Sequence, residues 1–221
     1  MIRDVVIFGI GQIAEVVHYY LTKEGERNVV AFTVDAPYLS ADSVLGLPVV
    51  DFADIQQTHP PERYEMFVAM SFKKVNKLRQ AKVEEVEGKG YTLASHVSPH
   101  ATVWTGFQAN PNTIVMENNV IQPFAKVGRN VILWSGNHIG HHSTIEDHCF
   151  IASHVVVSGS VTIGEGSFVG VNSTIRDNVK VGRHNVLGAG TLILADTPDG
   201  GVFMGEATAM SKVPSHRLRS I

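Results

Sequence analysis

Five histidines, His138, His141, His142, His148 and His154, lie within seventeen residues of one another. Near neutral pH an imidazole does two kinds of chemistry: it ligates transition metals, and it accepts or donates protons. A second group able to do chemistry opens the chain. Gly9-Ile10-Gly11-Gln12-Ile13-Ala14 is a Gly-x-Gly-x-x-Ala turn, with Asp35 about twenty residues further on. In that pattern backbone N–H groups at a helix start approach a phosphate, and the acid meets a ribose. The same glycines also serve a tight strand-to-helix turn that holds no ligand.

What must position the histidines is a six-residue repeat. Between positions 97 and 193 every sixth residue is Val, Ile or Leu, seventeen positions in all with Ala109 the one exception. Average composition offers such residues at roughly one position in four or five, so the phase is not accidental. Fixed self-similarity over many units marks a solenoid, in which each unit buries its apolar side only by stacking on the next. Glycine often follows the inward aliphatic residue, as at Gly128, Gly140, Gly164, Gly170, Gly182 and Gly188. Small or β-branched residues recur four places after it, as at Ser143, Cys149 and Val155. The pattern predicts a short strand, then a corner where glycine adopts backbone angles that other residues resist. Three hexads close one triangular coil of eighteen residues, giving nearly six coils. A β-sandwich would instead show alternation of period two and a turn signal every 8–12 residues. In a three-sided coil His142, His148 and His154 share one phase and point away from three different sides. Adjacent residues such as His141 and His142 rarely aim at one ion, so no metal is expected.

Ahead of the repeat, residues 2–8 read as a buried parallel strand that runs into the glycine turn, and a helix follows through about Leu21. Further strands are predicted at 28–34, 47–50 and 66–70, an amphipathic helix at 73–87, and a lead into the solenoid at 91–94. Two domains result, a Rossmann-like half domain over 1–95 and a β-helix with a C-terminal tail over 96–221. The first holds only about half of a full dinucleotide-binding fold, which argues against a nicotinamide dehydrogenase. It leaves a mononucleotide or nucleotide-sugar site, or a plain cap on the solenoid. After Ile193 the repeat stops in a polar turn, Val202-Phe203-Met204 suits a last strand, and the tail carries Lys212, Arg217 and Arg219. That basic tail is either solvated or meets coenzyme phosphates.

Composition narrows the classes. The 221 residues carry a net charge of −3 with no long basic block, which excludes a nucleic-acid partner. No apolar run reaches the roughly twenty residues of a membrane span, and the start lacks the basic and apolar regions of a signal peptide. One cysteine, Cys149, excludes an intramolecular disulfide and suits a reducing cytoplasm. It occupies a small-residue position of its hexad, where a packing role fits better than a nucleophile.

The order of strand, Gly-x-Gly-x-x-Ala turn, short α/β unit and hexapeptide solenoid resembles the bacterial sugar acyltransferases. These include the nucleotide 4-amino-sugar N-acetyltransferases of the bacillosamine and perosamine pathways and the sialic acid O-acetyltransferases. The resemblance spans nearly the whole chain, and its most specific part is Ile139-Gly140-His141-His142-Ser143-Thr144-Ile145-Glu146-Asp147. It implies a left-handed coil and places His141 on the catalytic histidine. His142 stands where members carry an acid, and Glu146 where glycine is common, so the group that orients His141 is left open.

The chemistry implied is direct acetyl transfer. An amine attacking a thioester sheds a proton as it bonds, and a neutral imidazole within reach takes it. The carbonyl oxygen gains charge and needs a fixed N–H donor. Gly159 is one eighteen-residue coil beyond His141, about 4.8 Å away in a stacked ladder. The resemblance implies a glycine amide in that place. No acyl-enzyme is needed, and no serine–histidine–acid set is legible. By the same resemblance Gly170, Gly188 and Ala189 touch the pantetheine arm of acetyl-CoA between subunits of a homotrimer. Gly9, Gly11, Asp35 and His142 then serve a nucleotide-linked amino sugar, a 4-amino-4,6-dideoxy sugar by analogy. O-acetylation of a sugar such as sialic acid, and a non-catalytic β-helical binding module, are the alternatives.

Overall fold

Val5 to Phe8 is an apolar run without alternation, the mark of a strand buried on both faces. It forms β1 (Asp4–Phe8), the central strand of the α/β unit in the computed structural model, which describes residues 3–25 and 27–217. The expectations that fall on Ile2 and Arg219 lie outside the described residues. After β1 come α1 (Gln12–Tyr19), a π-helical turn (Tyr20–Glu24), β2 (Val29–Val34), β3 (Ser43–Val44) and β4 (Leu47–Asp51). They are followed by α2 (Ile55–Thr58), β5 (Tyr64–Val68), α3 (Lys77–Gly88) and β6 (Thr92–Leu93). The sheet order is β3-β4-β2-β1-β5-β6, parallel except for the β3–β4 pair. The chain builds outward from β1 on one side and then returns to the other, so a switch point lies at the carboxyl end of β1, beside the glycine turn. Side chains alternate across the sheet: Val5 and Ile7 pack with α1, while Val6 and Phe8 pack with Val83 and Val86 of α3.

Helix α3 starts at Lys77 and not at 73, because Lys74, Val75 and Asn76 have φ of +53°, +52° and +63°. Three consecutive left-handed residues cannot belong to a right-handed helix.

From His96–Val97 onward the chain is a three-sided left-handed parallel β-helix. Two-residue strands end at sixteen of the seventeen aliphatic positions, and up to the last coil they pair with the strand eighteen residues on, as in Ile132↔Phe150, His138↔Val156 and Thr144↔Thr162. The faces hold seven, six and four strands, and Val202–Phe203 adds the last rung to the first of them. The inward aliphatic residues and the small residues four places on, Ser143, Cys149 and Val155 among them, are buried in one continuous column. Ala109 is the exception, with no strand at its position; Trp104 and Phe107, close to it in sequence, are partly buried against the core.

The corners correct one expectation. The glycines that follow the inward residue do not adopt left-handed angles; that conformation recurs every sixth residue from Asn112 to Gly190, three places after the inward position. Asn, His and Gly are the residues that tolerate it, which is why His142, His148, His154 and His184 recur in phase. The other glycines are needed for space: a Cβ on Gly140 would lie 2.5 Å from the Ser158 carbonyl of the next coil. Gly190 is left-handed, with φ +68°, but a Cβ there meets nothing within 4 Å. Gly140→Ala is therefore expected to cost about 2–3 kcal/mol through overpacking, and Gly190→Ala about 1 kcal/mol through backbone strain alone. Thermal unfolding of the two variants ranks them in that order; equal losses would refute the distinction.

The α/β unit covers the seven-stranded face. The outward residues of that face are Ile114, Ile132, Phe150 and Phe168, eighteen residues apart, and they pack with α1 and its neighbours.

Candidate active site

His141 and His142 follow the strand His138–Ile139 and precede Thr144–Ile145, at the corner between the six- and four-stranded faces. Both rings are exposed. Gln122 Oε1 accepts the backbone N–H of His141 at 2.9 Å, and the Nδ1 atoms of the two histidines are 3.2 Å apart. The His142 ring rests on Phe124 (centroids 4.8 Å apart), which in turn meets Trp104 at 5.7 Å. The far edge of His141 lies over Gly159: a Cβ on that glycine would be 2.7 Å from both Cε1 and Nε2. Stacking thus brings residues 141 and 159 together.

The Gly159 amide is not idle. Its N–H donates to Asp177 Oδ1 at 2.9 Å, just as the Arg129 N–H donates to Asp147 Oδ1 at 2.9 Å on another corner. Carboxylates from the next coil take corner amides that the strand ladder leaves unpaired. Asp177 is exposed and makes no other side-chain hydrogen bond among the described residues, so only this contact holds it.

At the other end, Gly9 has φ +120°, and a Cβ there would meet the Ala69 carbonyl oxygen at 2.8 Å. The turn and the approach of the segment after β5 both require glycine at this position. Gly11 differs. It precedes α1 in an extended conformation, and a Cβ would find nothing within 4 Å. Neither backbone nor packing calls for glycine there. Asp35 pairs with Lys82 of α3 at 2.8 Å, and that ammonium lies 4.8 and 4.7 Å from the ring centroids of Phe8 and Phe52. The structure couples Asp35 to α3 and not to the α1 turn.

Between the α/β unit and the solenoid runs a cleft of about 380 Å³, walled by Ile13, Phe72, Trp134, Phe150, Phe168, Gly170 and Ala189. Of the three coenzyme candidates it unites Gly170 and Ala189; Gly188 lies under the last rung, where a Cβ would be 3.2 Å from the Phe203 oxygen. The Phe72 ring lies tilted against Phe168 at 4.4 Å and meets Phe150 edge-to-face at 5.2 Å. Phe72 begins the left-handed turn: the Asn76 N–H donates to its carbonyl at 3.1 Å. A β-branched residue such as Val75 is strained there and persists only where its surroundings over-determine it. They do. Asn76 Nδ2 donates to the Gly166 and Ser167 carbonyls at 2.8 and 3.1 Å. The fully buried Arg79 donates to Asn76 Oδ1 at 2.9 Å, Asn130 Oδ1 at 3.0 Å and the His148 and Cys149 carbonyls at 2.8 and 3.1 Å. Burial lowers the guanidinium pKa to about 10, so it stays charged at neutral pH.

Cys149 is a packing residue: its thiol donates to the Gly164 carbonyl at 3.3 Å, and burial pushes its pKa up to about 12. Among the described residues no three His, Cys, Asp or Glu side chains are grouped to hold a metal, and no helix is long and apolar enough to cross a membrane. Sequence reasoning missed the cleft and Arg79. The aromatic wall has a signal, apolar outward residues at a spacing of eighteen, whereas Arg79 in a polar helix has none.

Residues 124–159 and 160–195 match the bacterial transferase hexapeptide family (six repeats). No curated protein matches the chain in sequence. The fold superposes with a TM-score of 0.83 on a histidine-to-asparagine mutant of perosamine N-acetyltransferase from Caulobacter crescentus, in complex with CoA and GDP-perosamine. The two are 26% identical, over 93% of this chain and 95% of that one. The chain is a hexapeptide-repeat acyltransferase. The acyltransferase is also similar to the acetyltransferase domain of PglB from Neisseria gonorrhoeae FA1090, at 25% identity and a TM-score of 0.81 over 92% and 97% of the two chains. It shares its fold with WeeI from Acinetobacter baumannii AYE, at 16% identity and a TM-score of 0.71 over 91% and 96%.

Proposed function

We propose that this acyltransferase moves an acetyl group from acetyl-CoA to the amine of a nucleotide-linked amino sugar, a 4-amino-4,6-dideoxy sugar by analogy. The observation that carries the reading is the extent of the likeness: it takes in both the glycine-turn unit and the solenoid of an enzyme in complex with CoA and a nucleotide amino sugar. The amine nitrogen attacks the thioester carbonyl and its proton passes to His141 Nε2. The tetrahedral intermediate then expels the thiolate, which takes a proton and leaves as free CoA. The Gly159 N–H receives the oxyanion once the exposed Asp177 carboxylate swings off it. The diphosphate sits at the α1 N-terminus against Gly9 and Gly11, with Asp35, which Lys82 contacts, offered to the ribose. From there the sugar reaches past Ile13 into the aromatic cleft, whose walls suit a ring face lacking hydroxyls. Gly170 and Ala189 serve the pantetheine arm.

His141 and the cleft border opposite edges of the six-stranded face. One chain does not join them, so on this reading the base comes from a neighbouring copy, in a homotrimer by the same analogy. A single buried, unpaired cysteine accords with a cytoplasmic setting.

The deciding experiment follows thiol release by the purified protein with acetyl-CoA and a panel of nucleotide amino sugars. Release only with hydroxyl acceptors, or with none, overturns the reading. Gly11→Val tests the nucleotide site separately. Because a side chain at Gly11 meets nothing within the chain, the melting temperature is expected to hold, while affinity for the nucleoside diphosphate falls about tenfold or more through the lost backbone approach. Undiminished binding by calorimetry removes the turn from the site.

A further inference from the structure

A neutral imidazole carries one N–H. For His141 to act as a base at Nε2, its proton must sit on Nδ1, and that proton needs an acceptor. The group in reach is His142 Nδ1, 3.2 Å away; no carboxylate bonds either ring among the described residues. Building on the reading of His141 as base, we infer that His142 is its positioning residue. In the tautomer protonated on Nε2, His142 accepts from His141 Nδ1–H and leaves the His141 Nε2 lone pair bare beside Gly159. The opposite donation puts the one proton of His141 on Nε2 and leaves no base.

Two features fix the His142 ring for this task. Its backbone is left-handed, with φ +59°, and its ring is laid against Phe124. Phe124 is itself left-handed, with φ +67°, an unusual conformation for a bulky residue, and it is 58% exposed. A large apolar ring held outward in a strained corner, between Trp104 and His142, is accounted for if it sets the plane of the acceptor imidazole. When His141 Nε2 takes the amine proton, the bond from its Nδ1–H to His142 becomes charge-assisted and strengthens. A second imidazole thereby does the orienting work for which a carboxylate is the commoner partner.

The test uses the full-length protein. Glycine suits φ +59° without strain, so His142→Gly removes the ring and is expected to melt with wild type. The kcat is expected to fall about 10–100-fold, as a base in the wrong tautomer loses most of its contribution, while KM for acetyl-CoA and for the nucleotide sugar stays within about twofold. His142→Asp, which tolerates the left-handed region and offers an acceptor oxygen, is expected to recover most of the kcat. Full kcat in His142→Gly, a loss confined to the KM of the sugar, or aspartate no better than glycine each overturns the inference. An inactive wild type, or an active His141→Asn, overturns the reading of His141 and this inference with it.

Discussion

Replacing His141 by asparagine is expected to lower kcat by about 10²–10⁴-fold, the usual share of a general base, while CoA binding and the melting temperature stay at wild-type values. Asparagine keeps the size and polarity of the site but has no lone pair basic enough to take an ammonium proton at neutral pH. Stability is expected to hold because the side chain is exposed, and the hydrogen bond that anchors the corner, to Gln122, comes from the backbone N–H. Binding is expected to hold because the coenzyme is assigned to Gly170 and Ala189 in the cleft, whose walls an asparagine at 141 leaves unchanged. Initial rates of thiol release and a calorimetric titration with CoA measure the two quantities independently. Turnover within a few-fold of wild type removes His141 from the chemistry. Parallel loss of CoA affinity makes it a binding residue instead.

That prediction draws on spacing which the sequence displays openly. Stacked rungs tie residue 141 to 159 wherever the repeat keeps its phase, and His141 Nε2 does lie over Gly159. The same arithmetic places Asp177 one coil beyond Gly159 but does not say that its carboxylate turns back to cap the Gly159 amide, which depends on side-chain direction. The phase shared by His142, His148 and His154 was legible, and its cause is the left-handed corner that all three occupy. The α/β unit was legible in its strands but not in its attachment. Ile114, Ile132, Phe150 and Phe168 show at a spacing of eighteen that one face is covered, yet nothing in the string 71–79 announces a left-handed turn. Lys74 and Val75 are poor residues for that conformation; contacts distant in sequence impose it. Ala109 breaks the repeat in composition and also in structure, with no strand at its position.

The attachment itself sets the other large effect. Arg79→Leu is expected to destabilise the folded protein by about 3–5 kcal/mol, since several buried acceptors, each costing about 1–3 kcal/mol when left unpaired, lose their donor at once. Those acceptors are Asn76 Oδ1, Asn130 Oδ1 and the His148 and Cys149 carbonyls. Removing a buried cation also relieves its desolvation, which limits the loss, but the group stays charged at neutral pH in spite of burial. At about 2–4 °C per kcal/mol for a chain of this size, the melting temperature falls by about 10 °C. Arg79→Lys keeps the charge but not the planar fork that reaches both coils, so it lands between leucine and wild type. The functional signature is separate from the thermal one. Below the melting transition the loosened element is the turn that carries Phe72, so KM for the nucleotide sugar rises several-fold, while kcat at saturation, governed by the His141 base, changes little. A leucine variant that melts with wild type would mean that the guanidinium is a passenger in the interface. One that melts early yet binds sugar normally would separate the rivet from the cleft it is argued to shape.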